Sequence, residues 1–469
     1  MFQSVTSNIF DCDSASGVSE IVNSDYWVDF FDMDEDAEFH ASNLRTAGLE
    51  AAFLRPDWPL QVTPYLIEWK TAQSLASAYG VLHDTITRLP DILFNGDLCA
   101  FAHAVGFWDD AHQVLLRDLV RNDGILPCRW DVCANGVRWQ AMEANFGGAL
   151  GGLPTDWVQK LYDRLQGDAG EIRDTWYSAG AELAQALKAQ SAGRDTQRFV
   201  VVDDEAHFSQ SPLTANSTAR YLSSHLEQDI RAIGHTALEQ FVADTPGPVT
   251  TFELFTLNDI ARRTDDSYAP YLSLCKTGQV RRGVSLLCDL YMSKATLALL
   301  YKAAVEEAVS PEVQDIIRSA IPYTEIITPE NHAALAGLAK DAHVLKSAIG
   351  HGGSGVFCGW EHDSSTWESL LGRAASQQDS LGLCVIQARV KGDRRLSTSL
   401  TPQGLWIESD EPQVIGINQV NGQFCGGSVR QSIEGGGVVN AAKMASVGVM
   451  RVVQDIRAPQ TPIPIAIGT

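Results

Sequence analysis

The stretch Val344-Leu-Lys-Ser-Ala-Ile-Gly-His-Gly-Gly-Ser-Gly-Val-Phe-Cys-Gly359 constrains the chain more than any other. A short apolar run carries Lys346. Gly350, Gly352, Gly353 and Gly355 follow, and Val356-Phe-Cys358 resumes a strand pattern. Glycines let backbone N–H groups approach an anion and reach positive φ without a Cβ clash. A strand lysine adds a point charge for phosphate oxygens. Lysine, glycines and second strand together read as a polyphosphate cradle. An ordinary tight turn is the competing reading, because glycine clusters mark turns in general.

A second feature lies upstream. Arg129-Trp-Asp-Val-Cys133, a turn at Ala134-Asn-Gly136, and Val137-Arg-Trp-Gln-Ala-Met-Glu-Ala-Asn145 read as a β-hairpin, since Asn and Gly tolerate the positive φ of such turns. Residues two apart in a strand share a face, which groups Glu143 with Asn145 and Arg129 with Asp131. With suitable pairing, Asp131 and Glu143 converge. Two carboxylates and an amide oxygen suit Mg2+ bridging nucleotide phosphates. The competing reading is a polar outer face. The glycine-rich run Phe146-Gly-Gly-Ala-Leu-Gly-Gly-Leu-Pro154 follows directly, which favours close backbone approach to something.

Around these features the chain reads as α/β with α+β character. At 469 residues it is too long for one core, so two or three domains are expected. Apolar spacings of three and four predict helices over Tyr65 to Trp69, Ala72 to Leu89, Leu98 to Val105 and Ala111 to Leu119. Residues 155–195 read as helical, with Trp157, Val158, Leu161 and Leu165 on one face and a linker at 191–197. Phe199 to Asp203 is a buried strand, and a helix over Thr214 to Ala232 follows. This opens a Rossmann-like unit, but without G-x-G-x-x-G it offers no dinucleotide site. Gly278 to Gly283 reads as a basic turn before Val284 to Leu300, where Lys294 taken alone is a solvated helical lysine. A helix is expected near Pro329 to Lys340. Strands are expected over Leu383 to Val390, over Gly404 to Ile407 and over Val414 to Ile417. The tail 457–469 reads as extended or disordered.

The net charge of −23 argues against a nucleic-acid or anionic-membrane surface, but a few local cations suffice for a small anion. The acidic run Asp29 to Glu38 reads as solvated. Nine scattered cysteines read as reduced core residues of a cytosolic protein. Cys128 and Cys133 lack the second pair that a zinc site needs. No signal-peptide pattern and no run of 18 apolar residues is seen, so a cytoplasmic location is expected.

Together these pieces resemble the ATP-grasp superfamily. Lys346 and Gly352-Gly-Ser-Gly-Val356 look like its phosphate-binding lysine and mobile glycine loop. Cys384-Val-Ile-Gln-Ala-Arg-Val390 resembles its hinge strand, Glu143-Ala-Asn145 its Glu-x-Asn metal pair and Asp131 the preceding ligand. Arg430 and Asn440 resemble its late Arg and Asn. The metal hairpin here precedes the glycine loop, an order similar to that of circularly permuted members, the glutathionylspermidine-synthetase-like and peptide ligases. Gln387 and Arg389 depart from the family's acidic hinge residue, and Ala441-Ala442 from a Gly pair.

The resemblance implies a carboxylate–amine ligase that forms an amide through an acyl phosphate and releases ADP and phosphate, in small-molecule or peptide natural-product biosynthesis. It implies ATP and Mg2+. Nucleotide would be held by Lys294, Lys346, Gly352, Gly353, Ser354, Gly355, Val356, Gln387, Ala388, Val390 and Asn440. Metal would be held by Asp131, Glu143 and Asn145. Arg430, Arg129 and Lys346 would serve catalysis. Partners would be a small carboxylic acid and an amine such as an amino acid or peptide, with no nucleic acid and no membrane, and a homodimer left open. Domains would run over 1–195 (metal lobe), 196–290 (Rossmann-like, pre-ATP-grasp), 291–456 (glycine-loop and hinge lobe) and 457–469 (tail). A thiol or hydroxyl acceptor stays open, as does a non-catalytic nucleotide-binding protein.

Overall fold

Strand alternation sets the architecture around Lys346. The computed structural model describes residues 59–61, 64–118, 124–136, 138–150, 155–156, 159, 174–175, 177–190, 198–350, 353–377, 381–401, 405–433 and 445–453. Within it Thr324–Ile326, Cys384–Ala388, His343–Ser347 and Val356–Cys358 lie side by side in one antiparallel sheet. Lys346 stands opposite Val356 and Val385, and Val344 opposite Gln387, so these side chains share one face. The alternate residues Leu345, Cys384 and Ile386 are buried in a small core with Trp367, Leu370 and Leu371 of the helix Ser364–Ser376. Leu345→Ala removes a fully buried side chain and is expected to destabilise this sheet by about 2–5 kcal/mol in urea unfolding.

A nine-stranded sheet forms the larger frame. Its path runs through Arg394–Leu400, Leu60–Gln61, Ser446–Val453, Gln423–Gln431, Trp406–Val420, Pro127–Asn135 and Arg138–Phe146. Tyr65–Glu68 and Asp174–Thr175 join it through Ser446–Val453. Two expectations are corrected here. Tyr65–Glu68 is a strand, and the helix starts at Trp69 and ends at Thr87. Its apolar run Tyr65-Leu-Ile67 is buried throughout where it pairs in parallel with Ser446–Val453, and a run that short fits either period. The two strands expected over 404–407 and 414–417 are one strand of fifteen residues, Trp406–Val420. Its more polar first half pairs with Arg394–Leu400, whereas its apolar second half pairs with the hairpin and with Gln423–Gln431.

A third sheet is parallel, in the order Arg231–Gly234, Arg198–Asp203, Val249–Glu253, Val280–Arg282. The helix expected over 214–232 is Leu213–Leu226. Glu227 takes φ 57° and ends it, which frees Arg231–Gly234 to pair. The expected basic turn is the strand Val280–Arg282, with Arg282 buried. Val284 to Leu300 is broken at Ser293, whose hydroxyl caps the helix Lys294–Val305. The helix expected over 329–340 shrinks to His332–Ala336 plus a 3₁₀ turn at Lys340–Ala342. The carboxyl edge of the parallel sheet is tied to the hairpin segment through Ile125. Its N–H donates to Gly283 O at 2.7 Å, and its carbonyl accepts from Ser285 N–H at 3.0 Å. A Cβ on Gly124 would meet Ser285 N at 2.3 Å, so glycine permits this approach.

Among the described residues no helix is long and apolar enough to cross a membrane. The acidic run 29–38, Cys12, the helical face at Trp157, Val158, Leu161 and Leu165, the linker 191–197, Gly352, Asn440 and the tail lie outside the described residues.

Candidate active site at the meeting of the three sheets

The hairpin pairs Asp131 directly with Glu143 and Arg129 with Asn145. A bulge makes this work. Trp139 and Ala141 face the core on one side of Met142, and Ala144 and Phe146 on the other. Strict alternation from Ala141 would have sent Glu143 and Asn145 into the core. The extra residue resets the parity and brings both onto the face of Asp131.

Asp131 is buried among cations. Arg129 Nε and Nη2 donate to its two oxygens at 2.8 and 3.2 Å. Arg430 Nη2 lies 2.7 Å from Oδ1, and Asn145 Nδ2 donates to Oδ2 at 3.2 Å. Burial pushes the carboxyl up, but the guanidinium charges of Arg129 and Arg430 outweigh it and hold Asp131 well below the usual carboxylate range. Arg430 Nε is buried without a hydrogen-bond partner among the described residues, a donor that an anion would satisfy.

Lys346 faces this cluster from the antiparallel sheet. Its Nζ donates to the bulge carbonyl of Met142 at 3.1 Å and to Gln387 Oε1 at 2.6 Å. Gln387 in turn donates to Thr324 Oγ1 at 3.1 Å. Burial lowers the Lys346 ammonium to about 8, against the opposing pull of Glu143. Lys294 is braced behind: its Nζ lies 3.6 Å from Glu143 Oε1 and donates to Gly350 O at 2.9 Å. The glycine loop closes by Ser347 N–H donating to Gly355 O at 2.8 Å. Gly353 and Gly355 both take positive φ, and a Cβ on Gly355 would meet Ser347 Cβ at 2.8 Å.

Two cavities share this wall. The larger, about 530 Å3, is lined by Lys346, Val356, Gln387, Ala388 and Val390, together with Cys133, Trp360, Arg389, Lys391, Arg394 and Glu411. Arg389 stacks its guanidinium 3.7 Å from the Trp360 ring centre. The smaller, about 270 Å3, is lined by Arg129 and Asn145 and by carboxyl-edge residues of the parallel sheet, Glu253 to Thr256 and Val284 to Leu286, with Asp289 and Met292. Asp131, Glu143, Gly353 and Arg430 line both. Ser354 and Gly355 complete the turn without lining either cavity, and Lys294 stands behind Glu143. Glu253, Asp289 and Trp360 were not anticipated. The signal for the first two was an acid set inside an apolar run, Thr251-Phe-Glu-Leu-Phe255 and Leu286-Leu-Cys-Asp-Leu290.

Among the described residues no group of three or more His, Cys, Asp or Glu is placed to hold a metal. The oxygen donors that do gather are the carboxylates of Asp131 and Glu143 and the amide of Asn145, a hard set that fits Mg2+.

The chain shares its fold with a solved glutathione synthetase-like protein. The chain superposes on a glutathione synthetase-like effector from Globodera pallida in its apo form with a TM-score of 0.56 at 14% identity, over 89% of this chain and 96% of that one. A putative gamma-glutamylcysteine synthetase from Methylobacillus flagellatus KT aligns over 79% of this chain and 85% of that one at 11% identity, with a TM-score of 0.36, too loose a likeness to argue from. The sequence matches no protein-family model and no curated protein.

Proposed function

We propose that the chain is an ATP-dependent carboxylate–amine ligase. It activates a small carboxylic acid as its acyl phosphate, joins it to an amine and releases ADP and phosphate. The observation that carries this reading is the shared wall: Asp131, Glu143, Gly353 and Arg430 border a cation-lined cavity on one side and a smaller cavity on the other. Phosphoryl transfer asks for this separation, with nucleotide and acceptor meeting at one charged boundary.

Nucleotide would occupy the larger cavity, its phosphates against Lys346 and the glycine loop, and its base near Gln387, Ala388 and Val390. Asp131, Glu143 and Asn145 would hold Mg2+, which when bound neutralises phosphate oxygens. Asn145 has its amide nitrogen committed to Asp131, so its oxygen is the atom free for a metal. Arg430 would turn its unpartnered Nε toward the transferred phosphoryl group, and Arg129 would orient the acid. Lys294 keeps Glu143 and the loop at one distance. On this reading the domains run over 1–195, 196–290, 291–456 and 457–469, with permuted lobes and a Rossmann-like unit between them. The role in natural-product biosynthesis belongs to the same proposal.

Calorimetric titration with Mg·ATP tests the nucleotide half, and ADP release against panels of acids and of amines, thiols and alcohols tests the chemistry. Saturable binding and acid- and amine-dependent ADP release are expected. Absence of binding favours a non-nucleotide role, and turnover with thiols or alcohols alone rejects the amine. Lys346→Met is expected to weaken Mg·ATP binding by about tenfold or more, since a charge-assisted contact contributes about 1.5–3 kcal/mol.

A further inference from the structure

The two cavities carry opposite charge although they share a wall. The larger has five Lys or Arg residues against three Asp or Glu, and the smaller has two against four. In the smaller cavity Asp131 takes both arginines. Glu253 is satisfied structurally, by Val284 N–H at 2.8 Å, by Tyr271 Oη at 3.1 Å and by Thr251. Asp289 is different. It is 2% exposed, on the helix Cys288–Met292. Its Oδ2 accepts Asn258 N–H at 2.7 Å and the Thr256 side chain also hydrogen-bonds the carboxylate, but no described Lys, Arg or His forms an ion pair with it. A buried carboxylate without a counter-ion is costly and is characteristic of ligand sites.

We infer that the smaller cavity takes a small amine as its ammonium ion, with Asp289 as the counter-ion. Leu254, Phe255, Leu286 and Met292 offer an apolar wall for the body of the amine. The volume lies below the ~300–1,000 Å3 usual for drug-sized ligands, so the amine is metabolite-sized. Burial pushes the Asp289 carboxyl up to about 7, and an incoming ammonium favours its charged form. The other charged groups on the elements around it are Glu253, Asp259 and Arg262, with Glu143 on the neighbouring strand and Lys294 on the next helix. The inference rests on the ligase reading only in making this amine the acceptor, which attacks as the free amine once its ammonium has passed a proton to the Asp289 carboxylate. The binding itself stands apart.

The test is calorimetric titration at about pH 8, where alkylamines stay protonated, with and without Mg2+ and the analogue AMP-PNP. The probes are n-butylamine and ethanolamine, each against its neutral counterpart, n-butanol or ethylene glycol. At least one amine binds, and its neutral counterpart binds at least about tenfold more weakly. Asp289→Asn weakens the amine by a similar factor. Met292→Trp, which fills the cavity, removes amine binding while AMP-PNP still binds. Equal binding to the parent and Asp289→Asn overturns the inference, as does the failure of both amines to bind the parent under either condition. If an amine binds but AMP-PNP does not, the ligase reading falls and this one stands.

Discussion

On the proposed ligase reading, Glu143→Gln lowers acid- and amine-dependent ADP release by about a hundred- to a thousandfold, the scale on which a single electrostatic contributor at a developing charge acts. Glu143 stands at the centre of the shared wall. It opposes Asp131 across the hairpin, it lies 3.6 Å from Lys294 Nζ, and its charge supports the ammonium form of Lys346. Gln preserves the shape and removes the charge, so the loss is expected in turnover while far-UV dichroism stays that of the parent. Nucleotide affinity falls less than turnover, because Lys346 keeps its bonds to Met142 and Gln387. Retained ADP release rejects the metal assignment. A variant that loses both turnover and fold says instead that Lys294 needs its partner for stability.

Asp131→Ala destabilises the metal-free protein by about 3–5 kcal/mol, because it removes the buried carboxylate that the two guanidiniums share. Urea unfolding of parent and variant measures this, and Asp131→Asn separates charge from packing. The acid dependence follows from the same geometry. The folded carboxyl titrates below its unfolded value near about 3.9, so the stabilisation is fully present above that value. It is lost as pH falls from there through the lower, folded pKa. In Asp131→Asn this part of the acid slope disappears. An unchanged slope would show that Arg129 and Arg430 do not depend on Asp131 in solution.

The parts of the site that ride on strong alternation were legible. Val344, Lys346 and the glycines that follow mark a hairpin with one polar face, and Arg129-Trp-Asp alternates cleanly. The Asp131–Glu143 pairing depended on a bulge that no residue type announces, since Met142 is neither Gly nor Asn. Tyr65–Glu68 was misread because four apolar-rich residues satisfy a helical and a strand period alike. Trp406–Val420 was split because Glu408, Asp410 and Glu411 interrupt the apolar pattern at the point where the strand changes neighbours. The second cavity was hidden for a different reason. Glu253 and Asp289 come together only through the carboxyl edge of the parallel sheet, and the bridge at Ile125 that seats this edge against the hairpin is tertiary.

The sheet that holds Asp131 also dictates the order in which the molecule can be assembled. The neighbour of Pro127–Asn135 is Trp406–Val420, and the ion-pair partner Arg430 comes later still. Roughly 300 residues separate Asp131 from Arg430. At ~5–20 residues per second a growing chain leaves the hairpin without its neighbour for roughly 15–60 s. During that interval one hydrogen-bonding edge is open and one buried acid is half-neutralised. The parallel sheet at Arg198–Arg282, whose strands are local in the chain, can form in the meantime. Activity should therefore be the last property to appear on synthesis or refolding, after most of the helical signal has returned.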